Sequence, residues 1–422
     1  MRTRKHPRNS VNISENNLEK RELSDSDHRL VGQQLDLFSI NEQVGQGLVL
    51  WHPKGTLIRN LIRDYWEREH TRNGYHLVTT PHIARSELWQ TSGHLDYYRR
   101  NMYLFKKAGE TYVVKPMNCP FHIAIYKTKP RSYRELPIRY AEWGTVYRYE
   151  RSGTLHGLLR VRGFTQDDAH IFCTPQQIQT EVESLLDFTQ HILSRFGFHE
   201  YRAILSTRDP KQPQKYMGSL AKWNHAQKTL AHALKQKHVP YTEKPGEAVF
   251  YGPKIDINIV DTTGREWQCT TIQFDFNLPK RFNATYTAQD GKEHETAMIH
   301  RALLGAIERF FAILLEHTKG NLPTWLAPTQ VAVVPISTEQ KTYAETVHDE
   351  LLAQGIRSEL DIADATISHK IRQAEIQKTP YMAIIGKRET ESHRVSVRKH
   401  GTGNIGQLTT NELVEKIKKE TT

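Results

Sequence analysis

The sequence has few cysteines, no long apolar run, no Walker loop and none of the commonest zinc-binding motifs. Three cysteines among 422 residues are too few for a disulfide framework, so we expect a reducing compartment. No apolar run reaches the roughly 20 residues that span a bilayer, because the best candidate, ALLGAIERFFAILLEH, is interrupted by Glu308 and Arg309. GxxxxGK[ST], HExxH and CxxC are all missing. These absences argue against a membrane protein and against the commonest nucleotide-loop and zinc-protease sites.

The bulk composition is that of a soluble globular protein, with 37% hydrophobic and 25% charged residues. A chain of this length has room for two or three domains, each with its own core. The net charge of +11 suggests a polyanionic partner such as a nucleic acid. Residues 323–422 contain 13 basic and 13 acidic residues, so the positive excess lies in residues 1–322.

The N-terminus, MRTRKHPRNSVNIS, is basic and acid-free, as organelle transit peptides are, but it lacks an apolar face. We therefore interpret residues 1–27 as a disordered basic and polar tail, and we expect a cytoplasmic protein rather than an imported one.

The rest of the chain divides at the proline-punctuated connector LPTWLAP, 322–328. Residues 28–322 combine long, antiparallel-looking strands with separate helices, which predicts an α+β domain. Residues 323–422 alternate strands and helices, which predicts a small mixed α/β domain.

Periodicity and turn residues predict two helices and a hairpin within the larger domain. The first helix begins near Gly55 and is stopped by Gly74. Two long strands between 248 and 276 form a hairpin at DTTG, 261–264. The segment 301–317, RALLGAIERFFAILLEH, is predicted to be a buried helix, since it is apolar on most sides.

The segment RVRGFTQDDAHIF, 160–172, has the composition of a strand, yet one face is crowded with polar groups. Because alternate side chains of a strand share a face, that face carries Arg160, Arg162, Phe164, Gln166, Asp168 and His170. The preceding strand VYRYE places Arg148 and Glu150 together, and RSGTLHG would return it as an antiparallel neighbour. Such a surface can hold a triphosphate and a base, but an ordinary cross-strand ion pair explains the same pattern.

For the other candidate site residues, spacing alone does not decide between a structural and a functional role. Gly305 and Arg309 share a face of the predicted helix. A buried helical glycine costs about 1 kcal/mol relative to alanine, which indicates either close packing or a ligand near the backbone. Spacing shows no metal site, and Asp167 and Asp168 face opposite sides of a strand.

Taken in order, several segments resemble the class II aminoacyl-tRNA synthetases, and most closely their threonyl branch. Gly55–Pro81 is similar to the first class motif, which builds the dimer interface; YRYERSGTLHGLLRVRGFTQDDAHIF is similar to the second, and GAIERF to the third. KPMNCPFH, YGPKIDI, WQCTTIQFDF and PTWLAPTQV match the threonyl branch. The resemblance runs from DHRLVGQQLDLF to the C-terminus.

This resemblance implies an antiparallel-sheet catalytic domain followed by an anticodon-binding domain, and it assigns residues to each. The implied catalytic residues are Arg148, Arg160, Arg309, His94 and Lys254, with His94 near the terminal ribose of the tRNA. The implied ATP-binding residues, acting with Mg²⁺, are Arg148, Glu150, Arg160, Phe164, Gln268 and Arg309. The implied threonine-binding residues are Met117, Gln166, Asp168, Tyr251 and Gln273. The implied anticodon-binding residues are Glu389 and Arg398.

The resemblance also implies one Zn²⁺ per subunit, bound by Cys119, His170 and His300. A three-ligand site of this kind leaves a position open for substrate. His300 is expected just before the predicted helix. Gln273 is five residues from Gln268, so the two share a face only if a β-bulge intervenes.

The implied activity is the ATP-dependent joining of L-threonine to tRNA(Thr) by a homodimer. Two alternatives are a paralogue that activates threonine without charging tRNA, and an RNA-binding regulatory paralogue. Only about 27 residues precede the resemblance, too few for an editing domain. We therefore expect either a separate editing factor as a partner or a setting in which seryl-tRNA(Thr) is tolerated.

Overall fold

The computed structural model of the protein describes residues 24–260 and 264–421. Residues 1–23 of the predicted tail lie outside the described residues. The prediction of disorder is wrong for the last four tail residues, because Asp27 is the N-cap of the first helix and accepts from Arg29 N. Ser26 is buried beside it.

The N-terminal three quarters of the chain contain fifteen strands within the described residues. In chain order they are β1 (Phe38–Ile40), β2 (Val49–Trp51), β3 (His76–Leu77), β4 (Ile83–Arg85), β5 (Tyr103–Lys107), β6 (Glu110–Val114), β7 (Ile138–Tyr147), β8 (Gly163–Cys173), β9 (Tyr201–Thr207), β10 (Tyr241–Pro245), β11 (Lys254–Val260), β12 (Glu266–Asp275), β13 (Thr285–Thr287), β14 (Glu293–Glu295) and β15 (Ala297–Ala306). Eight of them form one sheet, in the order β10-β9-β11-β12-β15-β8-β7-β3. All central pairs are antiparallel, which confirms the predicted fold class.

Nine helices accompany these strands in the described residues. They are α1 (His28–Gln34), α2 (Pro53–Arg72), α3 (Ser86–Ser92), α4 (His94–Tyr98), α5 (Cys119–Tyr126), α6 (Ile178–Arg195), α7 (Leu220–Gln236), α8 (Leu278–Arg281) and α9 (Ile307–Thr318). The apolar faces of α2, α6, α7 and α9 pack with one face of the large sheet in a single core. Part of the other face packs against α5 and α8 in a second apolar cluster, and the rest carries the polar side chains that line a cavity.

The large hairpin is formed as predicted by sequence. β11 and β12 pair antiparallel from Lys254↔Gln273 to Val260↔Glu266. Residues 261–263 of the predicted turn lie outside the described residues. The predicted stop of α2 is also confirmed, since Gly74 follows the helix with φ +75°.

The predicted helix over 301–317 is wrong in its first six residues. Arg301–Ala306 continue β15, a central strand between β12 and β8, and α9 begins only at Ile307. A strand that is buried on both faces is apolar throughout, and periodicity alone cannot separate it from a buried helix. His300 therefore lies within a strand, and Gly305 and Arg309 do not share a helix.

The two strands on either side of residues 148–162 are also shorter than predicted. β7 ends at Tyr147 and β8 begins at Gly163, so Arg148, Glu150 and Arg160 lie in the loop between them. Arg162 leaves the polar row, because its guanidinium donates to the Glu150 carbonyl and the Ser152 hydroxyl. We call residues 148–162 the connecting loop.

The C-terminal quarter forms a second, five-stranded mixed sheet in the order β17-β16-β18-β19-β20. Its elements are β16 (Val331–Pro335), α10 (Lys341–Ala353), β17 (Ser358–Leu360), α11 (Ile367–Ile376), β18 (Tyr381–Ile385), α12 (Lys387–Ser392), β19 (Val395–Lys399), β20 (Gly403–Leu408) and α13 (Thr410–Thr421). Sequence reasoning missed α12, which is short, and β20, which is interrupted by glycine. Strand β16 is buried along its whole length, as expected for a strand covered on both faces. The domain ranges themselves stay a prediction. None of the described helices has both the length and the apolarity needed to cross a membrane.

Candidate active site

Strand β8 forms the floor of a cavity of about 830 Å³ on the polar face of the large sheet. Its alternation places Phe164, Gln166, Asp168 and His170 toward the cavity, as the sequence pattern predicts. Most other predicted ligand-binding residues also line it: Met117, Cys119, Arg148, Glu150, Arg160, Tyr251, Lys254, Gln268, Gln273, His300 and Arg309. Residues separated by almost 200 positions in the chain therefore share one cavity.

One end of the cavity is cationic and aromatic. The guanidinium carbon of Arg148 lies 5.1 Å from the Phe164 ring centroid, and Arg148 Nε donates to the Pro116 carbonyl at 3.1 Å. Arg160 pairs with the Glu150 carboxylate at 2.9 Å, as the ordinary ion-pair interpretation of the sequence also predicts. A guanidinium stacked on a ring, with further cations nearby, suits a base and a polyphosphate.

Arg309 reaches the same end from the first turn of α9. Its Nε donates to the Leu159 carbonyl at 3.1 Å, and burial lowers the pKa of its guanidinium. One nitrogen is thus used to hold the connecting loop, while the fork geometry of arginine leaves other donors available for an anion.

Asp167, which faces away from the cavity, shapes the approach to α9. Its carboxylate accepts from three consecutive backbone amides, Leu303 N (2.9 Å), Leu304 N (2.8 Å) and Gly305 N (3.2 Å). The β15–β8 register shifts at this point, so the carboxylate holds a bulge at the end of β15. Burial raises the pKa of Asp167 to about 7. Sequence reasoning placed Asp167 on the opposite face correctly but gave it no role.

The other end of the cavity contains the predicted metal ligands. One ligand atom each of Cys119, His170 and His300 lies within 4.8 Å of the others. Burial raises the pKa of the Cys119 thiol well above its usual value, and the nearby carboxylates Asp168 and Asp275 raise it further. A cation would have to be present for the thiolate to be favoured here.

Hydrogen bonds outside this triad determine which nitrogen of each imidazole faces inward. His300 Nε2 donates to Asp275 at 2.8 Å, which leaves the lone pair on His300 Nδ1. His122 Nε2 lies 3.1 Å from a Glu142 oxygen and donates to it, so His122 Nδ1 accepts from His170 Nδ1 at 2.8 Å. The lone pair of His170 is then on Nε2.

Two lone pairs consequently face each other across 3.0 Å, on His170 Nε2 and His300 Nδ1, beside the Cys119 sulfur. Facing acceptors repel unless a cation lies between them. One sulfur and two imidazole nitrogens, each imidazole held by a further hydrogen bond, form a donor set that fits zinc. Sequence reasoning missed His122, although the string CPFH places it three residues after Cys119 on α5.

Between the two ends lie the groups predicted to bind the amino acid. Asp168 accepts from Asn118 Nδ2 at 2.9 Å, and Gln273 Nε2 lies 3.4 Å from the Gly252 carbonyl. The Tyr251 hydroxyl is protonated, because burial raises its pKa well above the usual value. The centroid of its ring lies 5.6 Å from that of His300.

The bulge that the spacing of Gln268 and Gln273 requires is present. The β11–β12 register passes from Ile257↔Thr270 to Asn258↔Gln268, so one residue of β12 is unpaired. Both glutamines therefore line the cavity. Gln268 donates to Asp256 at 2.6 Å, and the same carboxylate pairs with Lys254 at 2.7 Å.

His94 does not line the cavity, unlike Tyr97 and Tyr98 of the same helix. It is fully buried, and its Nδ1 lies 2.7 Å from Ser92 Oγ. Within the described residues its Nε2 has no hydrogen-bond partner. Burial lowers the pKa of His94 to about 3, so the imidazole is neutral.

The predicted anticodon residues do not line this cavity: Glu389 lies in α12 and Arg398 on β19. Glu389 is engaged within the protein, accepting from Gly386 N (3.0 Å), Ser396 Oγ (2.8 Å) and Gln407 Nε2 (2.9 Å). Arg398 is two residues beyond Ser396 on β19, and therefore on the same face of that strand.

Comparison with known proteins gives two family matches. Residues 103–318 match the class II core domain of tRNA synthetases for G, H, P, S and T, and residues 330–420 match an anticodon-binding domain.

Individual relatives agree with these matches. The chain is 53% identical over 394 residues to a threonine–tRNA ligase of Acidobacterium capsulatum, covering 93% of this chain and 58% of that protein. It is 50% identical over 399 residues to that of Borreliella afzelii, covering 94% and 68%. The crystal structure of the RNA binding domain of threonyl-tRNA synthetase from Cryptosporidium parvum superposes with a TM-score of 0.89 at 41% identity, covering 93% of this chain and 98% of that one. The chain spans 58 to 62% of the length of the first three curated relatives.

Proposed function

The chain belongs to the threonyl-tRNA synthetases of class II, and we propose that it joins L-threonine to tRNA(Thr) at the expense of ATP. The observation that carries this proposal is the single cavity with arginines and Phe164 at one end and the Cys119, His170, His300 triad at the other. A threonine carboxylate oxygen attacks the α-phosphorus of ATP, and pyrophosphate leaves. The terminal ribose of the tRNA then takes the threonyl group and releases AMP.

In this proposal the cationic end binds ATP. The adenine stacks between the Phe164 ring and the Arg309 guanidinium. Glu150 and Gln268 form hydrogen bonds with the edges of the nucleotide. Arg148 and Arg160 bind the phosphates together with Mg²⁺. Fixed cations aimed at the phosphate lower the barrier, because charge on its oxygens grows as the new bond forms.

Arg160 must exchange its bond to Glu150 for the nucleotide, which an exposed ion pair allows at little cost. Lys254 is held by Asp256, within the same cavity. That geometry supports a role in orienting the reacting groups rather than in proton transfer.

The opposite end binds threonine. Cys119, His170 and His300 would hold one Zn²⁺ per subunit, and the ion would supply a Lewis acid that binds the amino and hydroxyl groups of the substrate. Asp168 accepts from the threonine ammonium, Tyr251 donates to the substrate, and Met117, Gln166 and Gln273 close the pocket. A site that bonds a substrate hydroxyl rejects an analogue without it by about 10⁴–10⁵, so valine is excluded.

Charging unfractionated tRNA with labelled threonine, alongside ATP–pyrophosphate exchange, tests the proposal. We expect both reactions. Exchange without charging would favour a threonine-activating paralogue, and neither reaction would favour an RNA-binding regulatory protein. In exchange, Arg148→Gln should lower kcat about 10²–10³-fold, because it removes a donor that binds the phosphate on which charge develops. Arg202→Gln, an exposed arginine paired with Glu266 outside the cavity, is the matched control.

Two further partners, the tRNA anticodon and a second copy of the chain, are assigned to the second sheet and to α2. We propose that residues 323–422 bind the anticodon through the outer face of β19, with Arg398 contacting RNA and Glu389 holding that face in place. We also propose a homodimer built on the segment from Gly55 to Pro81.

A further inference from the structure

One buried histidine outside the cavity connects three separate parts of the chain. His28, in the first turn of α1, has no solvent exposure. Its Nδ1 lies 2.7 Å from a Glu316 oxygen in the last turn of α9, and its Nε2 lies 3.1 Å from the backbone nitrogen of Leu158. Leu158 belongs to the connecting loop, two residues before Arg160.

The protonation of this imidazole follows from its partners. A backbone N–H can only donate, so His28 Nε2 accepts and Nδ1 carries the proton that it donates to Glu316. The second oxygen of Glu316 accepts from Arg265. Asp27, whose carboxylate lies 3.8 Å from His28 Nδ1, completes a group of two carboxylates around this imidazole, and it forms a paired contact with Arg29 at 2.8 and 2.9 Å. Both His28 nitrogens are already used, so the group is a structural connection and not a metal site.

Helix α9 consequently contacts the connecting loop at two adjacent residues. Arg309 donates directly to the Leu159 carbonyl, and Glu316 reaches the Leu158 amide through His28. Positions 309 and 316 are seven apart, so they lie on the same face of the helix. His28 fills the space between that face and the loop at the second contact.

The fit around His28 leaves little room for the loop to shift. Gly157 has φ +48°, and a Cβ on it would lie 2.1 Å from His28 Nε2, so the glycine is required for the approach. Leu158 and Leu159 are buried and line the cavity. The next residue, Arg160, is exposed and is therefore positioned mainly by the backbone that precedes it.

We propose that His28 is a positioning residue for nucleotide binding: by bridging Glu316 and the Leu158 amide, it sets the place of the connecting loop and of Arg160 relative to Arg309. This inference rests on the proposed function, since it assigns the loop to ATP. Displacement of a binding group by about 1 Å can cost about 10²-fold in rate, so a loose loop should be visible in kinetics.

The test is ATP–pyrophosphate exchange with His28→Phe, which keeps ring volume but removes both hydrogen bonds. We expect the KM for ATP to rise about tenfold or more while the KM for threonine changes less than about twofold. His28→Gln keeps one acceptor and one donor on a single amide and should restore most of the ATP affinity. Glu316→Leu should reproduce the His28→Phe defect, and the double variant should be no worse than either single one, because both remove the same connection.

Val31→Ala is the matched control, because Val31 is a buried residue of the same helix that does not contact the loop amide. It should lower thermal stability without changing the KM for ATP. An unchanged KM for ATP in folded His28→Phe and Glu316→Leu, or an equal rise in Val31→Ala, would show that His28 is only a packing residue. If His28→Phe does not fold, His28→Gln and Glu316→Leu decide the question by the same criterion. Absence of exchange in the unsubstituted protein would instead refute the proposed function, and with it the positioning role.

Discussion

His122 lies outside the cavity, yet its hydrogen bonds determine which nitrogen of His170 faces the triad. Burial works against the ionised form of its partner Glu142, but the bond from His122 and the charge of Lys115 together lower the pKa of Glu142 to about 2. The carboxylate is therefore charged at neutral pH and holds His122 in one tautomer. Partners of this kind orient metal ligands and raise their basicity.

We predict that His122→Phe weakens zinc binding about 10- to 100-fold, as loss of a partner of a metal ligand usually does. The measurement is zinc retention in competition with a chelator. Cys119→Ser should lose the metal as well, whereas Cys173→Ser, which changes an equally buried cysteine outside the triad, should retain it. Equal retention by His122→Phe and the unsubstituted protein would contradict the orienting role.

His94 should make the protein sensitive to acid. Its folded pKa of about 3 lies below the ordinary 6.5, so the unfolded chain binds a proton more readily between these values. The contribution of neutral His94 to stability is therefore fully present above pH 6.5 and is lost as the pH falls toward 3. In His94→Asn we expect the difference in unfolding free energy between pH 7 and pH 5 to shrink by about 2 kcal/mol. Urea unfolding at the two pH values measures this difference. The same difference in His94→Asn and in the unsubstituted protein would show that folded and unfolded His94 bind a proton equally readily.

The end of β15 shows how one element depends on a side chain from another. The Asp167 carboxylate holds the backbone from Leu303 to Gly305, and α9 starts two residues later with Arg309 in its first turn. Gly305 has φ +73°, and a Cβ on it would lie 2.8 Å from the Cys269 carbonyl. The connection between β15 and α9 therefore requires glycine at position 305 for two reasons: the positive φ and the lack of space for a Cβ.

Gly305→Ala should lower the free energy of unfolding by about 1–3 kcal/mol, the usual cost of a residue held in an unfavourable conformation. It should also lower exchange activity, because Arg309 moves with the start of α9. Gly153→Ala is the control, since nothing lies within 4 Å of its added Cβ and its φ is not positive. Chemical denaturation compares the two. Similar stabilities for both variants would mean that the bulge relaxes easily.

At the scale of the whole molecule, the hairpin of β1 and β2 leaves apolar side chains exposed. Ile40, Val44 and Leu50 are all solvent-exposed in the single chain. They lie close in sequence to α2, on which the proposed homodimer is built. Several exposed apolar side chains within one short hairpin are typical of a surface that contacts another protein.

Light scattering at micromolar concentration should therefore report about twice the chain mass of 49.0 kDa. Val44→Glu combined with Leu50→Glu should shift the protein toward the monomer, because two charges would be buried without partners. Ile362→Glu changes an exposed apolar residue of the second sheet's region and should leave the mass unchanged. A monomer in the unsubstituted protein would refute the dimer.

The sequence by itself determined the features that depend on local pattern. The alternation of 164–170 predicted which side chains line the floor, Gly74 predicted the end of α2, and the spacing of two glutamines required a bulge that is present. The resemblance to class II synthetases supplied the fold class and the identity of Cys119, His170 and His300 as a group. The first three follow from residue type and spacing along one segment, whereas the metal-ligand group follows only from the resemblance.

Only the tertiary structure decided the rest, because it depends on contacts between distant segments. Whether 301–306 is helix or strand was settled by neighbours on both sides of β15, which no single-segment periodicity records. The roles of Asp167, His122 and His28 come from backbone amides and imidazoles supplied by other elements. A buried polar side chain is bound by whichever donors and acceptors the fold brings to it, and the partners of these three side chains are 20 to 288 positions away in the chain.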